Sequence, residues 1–181
     1  MTALGAIIVV DDDPDVALAA RLALAGHAAR IDCAASVALL QDALASTRYD
    51  AVLLDMNFVN GDSSGQAGLG GLQVARDADP TLSVVLMTAY GGVSLAVEAL
   101  KRGASDFVLK PWKNDALVQS VSAAAALTRD RRRDQDMDLD ALERQAIERA
   151  LQRHEGNISK AAATLGLTRP ALYRRMEKHG L

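Results

Sequence analysis

The sequence predicts an α/β protein, a doubly wound five-stranded parallel sheet, followed by a small all-α domain. Three observations predict it. From residue 6 to about 125, short apolar runs alternate with longer stretches of helical periodicity, the pattern of β/α units around a parallel sheet. Residues 129–137, RDRRRDQDM, then carry charge of both signs and almost no apolar content, which marks a boundary. Beyond it the periodicity is helical only, interrupted by Gly156 and Gly166.

Taken in order, the strands are expected at 6–10, 29–33, 51–55, 83–88 and 106–109, each a short run rich in Val, Ile, Leu or Ala. Helices are expected near 14–26, 36–46, 68–77, 93–102 and 114–127, with turn signals at Gly26, Pro80, Gly91-Gly92 and Gly103. Such a sheet gathers its ligands at the carboxyl ends of the strands. Residues 1–127 form the first domain on this reading, 128–137 a charged linker or a solvated continuation of the last helix, and 138–181 the second domain. There Leu139, Leu142, Ala146, Ile147, Ala150 and Leu151 share a helical face, with Asp140 and Glu143 fitting a capping box at its start. A short helix capped by Asn157 and another capped by Thr168, with Pro170 in its first turn, follow across the tight Gly166-Leu167 turn. That is a helix-turn-helix arrangement.

Half of the 181 residues are apolar but only 3% are aromatic, so the core is expected to rest on Leu, Val, Ile and Ala. The amino-terminal run has no preceding base and is followed by acids, unlike a secretory leader, and no run reaches the length of a membrane span. The single Cys33 suits a reducing cytoplasm and reads as a small buried hydrophobe. A cytoplasmic location follows as an expectation. The net charge of −3 hides an asymmetry: residues 1–128 hold 8 bases against 14 acids, and the last 25 residues five bases against one acid. The carboxyl end is therefore the candidate for a polyanionic partner.

Asp11 and Asp12 fall just past the first strand and Asp55 at the end of the third, so one rim of the sheet collects carboxylates. Like charges that close call for protons or a cation, and a hard divalent ion such as Mg²⁺ suits oxygen ligands. The fourth strand delivers Thr88 and the fifth Lys110 to the same rim. Nucleophilic carboxylate, cation, hydroxyl and ammonium are the parts phosphoryl transfer requires. The stretch GQAGLGGL nearly fits a phosphate loop, with Gly65 and Gly70 correctly separated, but Gly71 and Leu72 stand where Lys and Ser or Thr belong. Its glycines read instead as turn residues with positive φ.

The segments IIVVDDDPDV, AVLLDMNF, VVLMTAYG and GASDFVLKPW together resemble the receiver domain of two-component response regulators, with the wording of the nitrogen-regulator class. The resemblance implies a flavodoxin-like domain in which Asp55 accepts a phosphoryl group from a sensor histidine kinase. It implies Mg²⁺ held by the Asp12 and Asp55 side chains and the Asn57 backbone carbonyl, with Asp11 supporting, and Thr88 and Lys110 binding the phosphoryl oxygens. Phe107 falls at the position of a switch aromatic. The loop between Asn57 and Gly68 is several residues longer than in compact receivers.

The passage GNISKAAATLGLTRPALYRRMEKHGL resembles the Fis-type DNA-binding domain that closes many nitrogen-class activators. That resemblance puts Thr168, Arg169, Tyr173 and Arg174 at double-stranded DNA and pairs the first helix with its symmetry mate. Leu172 and Met176 face inward at i and i+4, and Ala161, Ala162 and Ala163 let two helices cross closely. No AAA+ ATPase fits between the two domains, a layout similar to the RegA/PrrA type. The expectation is a DNA-binding response regulator, not an enzyme beyond its own aspartyl phosphorylation and dephosphorylation, and a homodimer promoted by phosphorylation. The alternative is a constitutive DNA-binding or architectural protein whose receiver is a dimerisation scaffold. A hydrolase with an aspartyl-phosphate intermediate ranks last, because Asn57 stands where a second acid is expected.

Overall fold

A computed structural model describes residues 4–57, 66–88 and 93–181. Five parallel strands, β1 (Leu4–Val10), β2 (Ala28–Ala34), β3 (Ala51–Asp55), β4 (Ser83–Thr88) and β5 (Asp106–Leu109), form one sheet in the order β2-β1-β3-β4-β5. The register runs Val10↔Leu54 between β1 and β3, Asp55↔Met87 between β3 and β4, and Thr88↔Leu109 between β4 and β5. The order reverses beside β1 and β3, so a crevice opens at their carboxyl ends. The helices are α1 (Pro14–Leu24), α2 (Val37–Ser46), α3 (Gln66–Ala78), α4 (Val93–Lys101), α5 (Asn114–Arg153), α6 (Ile158–Thr164) and α7 (Arg169–His179).

Alternation along the strands builds two cores. Ile8, Val10, Val52, Leu54, Val84 and Leu86 pack with Leu40 of α2, Leu72 of α3 and Ala99 of α4. Ile7, Val9, Leu53 and Val85 pack on the other face with Ala17, Ala20 and Leu24 of α1 and Leu117 and Val121 of α5. The central strands are apolar on both faces because both are covered. Thr128 of α5 is fully buried, and its hydroxyl accepts from Ser83 N at 2.9 Å while donating to Ala124 O. This bond ties α5 to the start of β4.

The chain divides into two compact units, residues 1–131 and 132–181. In the second, Ile147 and Ala150 of α5, Ala161 and Ala162 of α6 and Leu172 of α7 form a small core, with Met176 against it. Ala163 is exposed. Asn157 and Thr168 cap α6 and α7 through their side chains, Pro stands in the first turn of α7, and Gly166 takes a φ of 66° in the turn between them.

Three expectations are corrected. Residues 128–137 are the helical continuation, one of the two readings expected for them, but α5 runs on without the new start expected at Asp140. No Gly or Pro interrupts this stretch, and its charged side chains are solvated on the helix surface. Asp140 and Glu143 therefore cap nothing; they bind bases of α7. Of the apolar face beginning at Leu139, only Ile147, Ala150 and Leu151 pack into the small core, while Leu139 and Leu142 are 57% and 62% exposed. Cys33 is exposed, because β2 is an edge strand with little packed over its outer positions.

The glycines also depart from expectation. Gly68, Gly70 and Gly71 lie inside α3, not in positive-φ turns; Gly65 lies outside the described residues, as do Gly91, Gly92 and most of the long loop. Gly68 N donates to Met56 O at 3.2 Å, and a Cβ at Gly68 would stand 2.6 Å from Met56 Cα. At Gly70 a Cβ would meet nothing within 4 Å. Gly68→Ala is expected to destabilise the fold by about 1–3 kcal/mol through overpacking. Gly70→Ala should be neutral or stabilise by up to about 1 kcal/mol. Urea unfolding followed on the single Trp112 measures both.

Candidate functional site

Three acids follow β1 and each meets a different fate. Asp13 caps α1, accepting from Asp15 N and Val16 N. Asp12 is exposed, and Asp11 is buried with its carboxylate accepting from Asp13 N at 3.0 Å. Across the crevice Asp55, only 4% exposed, ends β3. Carboxylate oxygens of Asp11, Asp12 and Asp55 lie within 4.8 Å of one another.

Lys110, the residue after β5, reaches into this cluster. Its Nζ is 2.6 Å from Asp11 Oδ2 and 2.8 Å from Asp55 Oδ1. Its backbone N donates to Thr88 O at 2.7 Å, which joins the residue bearing the cation to the end of β4. Thr88 is buried at the same edge. Asn57 N donates to Asp55 Oδ2 at 3.2 Å, and among the described residues the buried Asn57 Oδ1 meets no donor. Phe107 is half-buried on β5 and packs against the core that includes Leu86.

Burial pushes the Asp11 carboxyl up, outweighing the hydrogen bonds from Lys110 and Asp13 that pull it down. For Lys110, burial works to lower the ammonium, but the hydrogen bonds and charges of Asp11 and Asp55 prevail and hold it above its ordinary value. One cation thus serves two buried anions. The hard carboxylate oxygens of Asp11, Asp12 and Asp55, gathered this closely, fit a small divalent cation such as Mg²⁺. Asp11, Asp12, Asp55 and the Lys110 ammonium gather at this rim, with Thr88 at the adjoining end of β4.

On the second unit, Arg169, Tyr173 and Arg174 are exposed along α7. The Arg169 guanidinium lies 5.8 Å from the Tyr173 ring centre, and its Nη2 is 3.4 Å from the Tyr173 hydroxyl. Thr168 is exposed, with its hydroxyl accepting from Ala171 N as the cap. Sequence reasoning missed the cluster in which Glu143 and Asp140 bind Arg175, Lys178 and His179. The signal was spacing within each helix, acids at i and i+3 and bases at i, i+3 and i+4, but nothing local linked the two sets.

Among the described residues, no helix is long and apolar enough to cross a membrane. Residues 7–122 match the response regulator receiver domain family, and residues 138–179 match the bacterial regulatory protein, Fis family. The transcriptional regulatory protein ZraR of Salmonella typhimurium is 35% identical over 127 residues, 68% of this chain and 27% of that protein. The regulatory protein AtoC of Escherichia coli is 35% identical over 127 residues, 70% of this chain and 26% of that protein. The chain thus spans about a quarter of the length of these curated relatives. The solved N-terminal signal receiver domain of a two-component response regulator from Bacteroides fragilis is 40% identical, covering 68% of this chain and 98% of that one, with a TM-score of 0.62.

Because the folded state raises Asp11, its charged form costs stability at neutral pH, and that cost is relieved as pH falls into the carboxylate range. Asp11→Asn is therefore expected to raise the Tm by a few degrees at pH 7 in chelator. The gain should shrink steadily toward acid pH, as read by thermal melts across pH; a Tm lowered at pH 7 would contradict it.

Proposed function

Since the chain belongs to the response regulator receiver domain family and carries a Fis-family segment behind the receiver, we propose that it is a DNA-binding response regulator of a two-component phosphorelay. Asp55 accepts a phosphoryl group from a sensor histidine kinase, and its phosphorylation alters dimerisation and DNA binding to control transcription from a cytoplasmic location. The observation that carries this reading is the buried Asp55 carboxylate at a strand end, bonded to Lys110 and facing Asp11 and Asp12.

An Asp55 carboxylate oxygen attacks phosphorus, forming a P–O bond as the P–N bond to the kinase imidazole breaks; the imidazole leaves with the bonding pair and takes a proton from water. Asp12 and Asp55, with the Asn57 backbone carbonyl and Asp11 in support, would hold Mg²⁺. When bound, this ion neutralises the charge of the transferred group. Lys110 already bonds Asp55 and has the donors to follow the phosphoryl oxygens, and the Thr88 hydroxyl supplies another. Because Lys110 N is bonded to Thr88 O, a shift of either residue moves the β4–β5 edge where Phe107 packs. Val97, Leu100 and Leu109 are exposed apolar residues on α4 and β5, a surface for a second copy once that edge moves. The response is a population shift, limited by how differently the two states bind the phosphoryl group.

In the second unit, Arg169 and Arg174, with Tyr173 and Thr168, face double-stranded DNA. Leu139 and Leu142 of α5 form the stripe by which two copies pair, placing two recognition helices about one DNA turn apart. Residues 123–137 are all that separates the two matched segments, too few for an ATPase domain between them. The chain catalyses nothing beyond its own aspartyl phosphorylation and dephosphorylation.

Incubated with Mg²⁺ and radiolabelled acetyl phosphate, the wild-type chain should acquire an acid-stable, base-labile label. Asp55→Ala should fall to background, a loss of about 100-fold or more given an essential nucleophile. Equal labelling of the two would refute the assignment of Asp55.

A further inference from the structure

Within the carboxyl-terminal unit, five charged side chains from two helices converge. Asp140 and Glu143 are one turn apart on α5; Arg175, Lys178 and His179 share a face of α7. Glu143 Oε1 accepts from Arg175 Nε at 2.6 Å, and Glu143 Oε2 lies 2.8 Å from His179 Nε2 and 3.5 Å from Lys178 Nζ. Lys178 Nζ also donates to Asp140 Oδ1 at 2.6 Å. The His179 side chain is 7% exposed, so the cluster reaches from solvent to the edge of the helix packing. An isolated surface ion pair is worth little, but here one carboxylate engages three bases of a single helix. The hydrogen bonds from His179 and then Arg175 hold the Glu143 carboxyl down to about 2, so it is ionised at neutral pH.

The consequence concerns which bases meet DNA. Sequence-independent affinity grows with each phosphate a Lys or Arg neutralises, whereas base edges are read by side chains that enter the groove. Of the Lys and Arg residues of α7, Arg175 and Lys178 are committed to α5, and Arg169 and Arg174 lie outside the cluster. We propose that Glu143, assisted by Asp140, is a specificity-determining positioning residue. It fixes the carboxyl-terminal half of α7 on α5 and withholds Arg175 and Lys178 from the phosphates, so that reading by the amino-terminal half counts for more of the binding. This rests on the reading that the unit binds duplex DNA.

The same three ligand groups, Asp140, Glu143 and His179, lie close enough to hold a cation. Arg175 and Lys178 already neutralise them, which disfavours that use.

The test compares the full chain with Glu143→Gln, Asp140→Asn and Glu148→Gln in salt titrations of binding to a random-sequence duplex. Glu148 pairs with Arg144 on its own helix, so its neutralisation removes the same charge without touching α7. Glu143→Gln should steepen the slope of log K against log salt by about one to two and bind the random duplex several-fold more tightly. Asp140→Asn, which removes the shorter of the two contacts holding Lys178 and leaves Arg175 bound, should steepen it by about one. A randomised library should also yield a less defined sequence from Glu143→Gln than from wild type. A slope equal to wild type, or to Glu148→Gln, overturns the proposal, as does a weakened affinity with a flatter slope, the sign of a merely structural role. Should Glu143→Gln not fold, Asp140→Asn decides alone. If wild type does not bind duplex DNA even at low salt, the DNA-binding reading falls and takes this one with it; binding with unaltered slopes sinks this one only.

Discussion

Two carboxylates buried at the carboxyl edge of a parallel sheet repel one another, and the Lys110 ammonium, bonded to Asp11 and Asp55 at once, lets the folded chain keep both. Much of the first unit serves that contact. The order β2-β1-β3-β4-β5 sets β1 beside β3 and so brings Asp11 opposite Asp55. The parallel pairing of β4 with β5 carries Lys110 to the same edge, and the bond from its backbone N to Thr88 O fixes the approach. Two apolar cores hold the strands in that register from both faces. A balance of one cation against two buried anions is also easily disturbed, which is the property a switch needs: adding a doubly charged group and a cation there changes every partner of Lys110.

The second unit solves an opposite electrostatic problem. A helix carrying Arg169, Arg174, Arg175, Lys178 and His179 repels itself and attracts any polyanion. Carboxylates of α5 take up the last three, leaving the amino-terminal half of α7 as the exposed basic surface. Acids on a neighbouring helix thus shape a basic surface as much as the bases themselves do.

Much of this was legible in the residues, for reasons that differ by element. The strand ends were legible because a fully covered strand must be apolar throughout, so the first acid after AIIVV or AVLL marks the rim. The caps Asn157 and Thr168 were legible because their oxygens have one job at a helix start. Asp140 and Glu143 carry the same local signature and do something else, because α5 arrives already helical and the bases they bind lie more than thirty residues away. Gly68 was misread for a similar reason: its hydrogen is required by Met56 across a helix-strand contact, not by its own φ. Local chemistry announced itself; pairings between distant elements did not.

On the proposed function, the chemistry at Asp55 governs what α7 does at DNA. The most direct measurement is the affinity of the full chain for a duplex selected from a randomised library, with and without Mg²⁺ and acetyl phosphate, for wild type and Asp55→Ala. The phosphodonor should change the wild-type affinity several-fold and leave that of Asp55→Ala unmoved. Identical wild-type affinities in the two conditions, with Asp55 demonstrably phosphorylated, would contradict it and leave the receiver a scaffold.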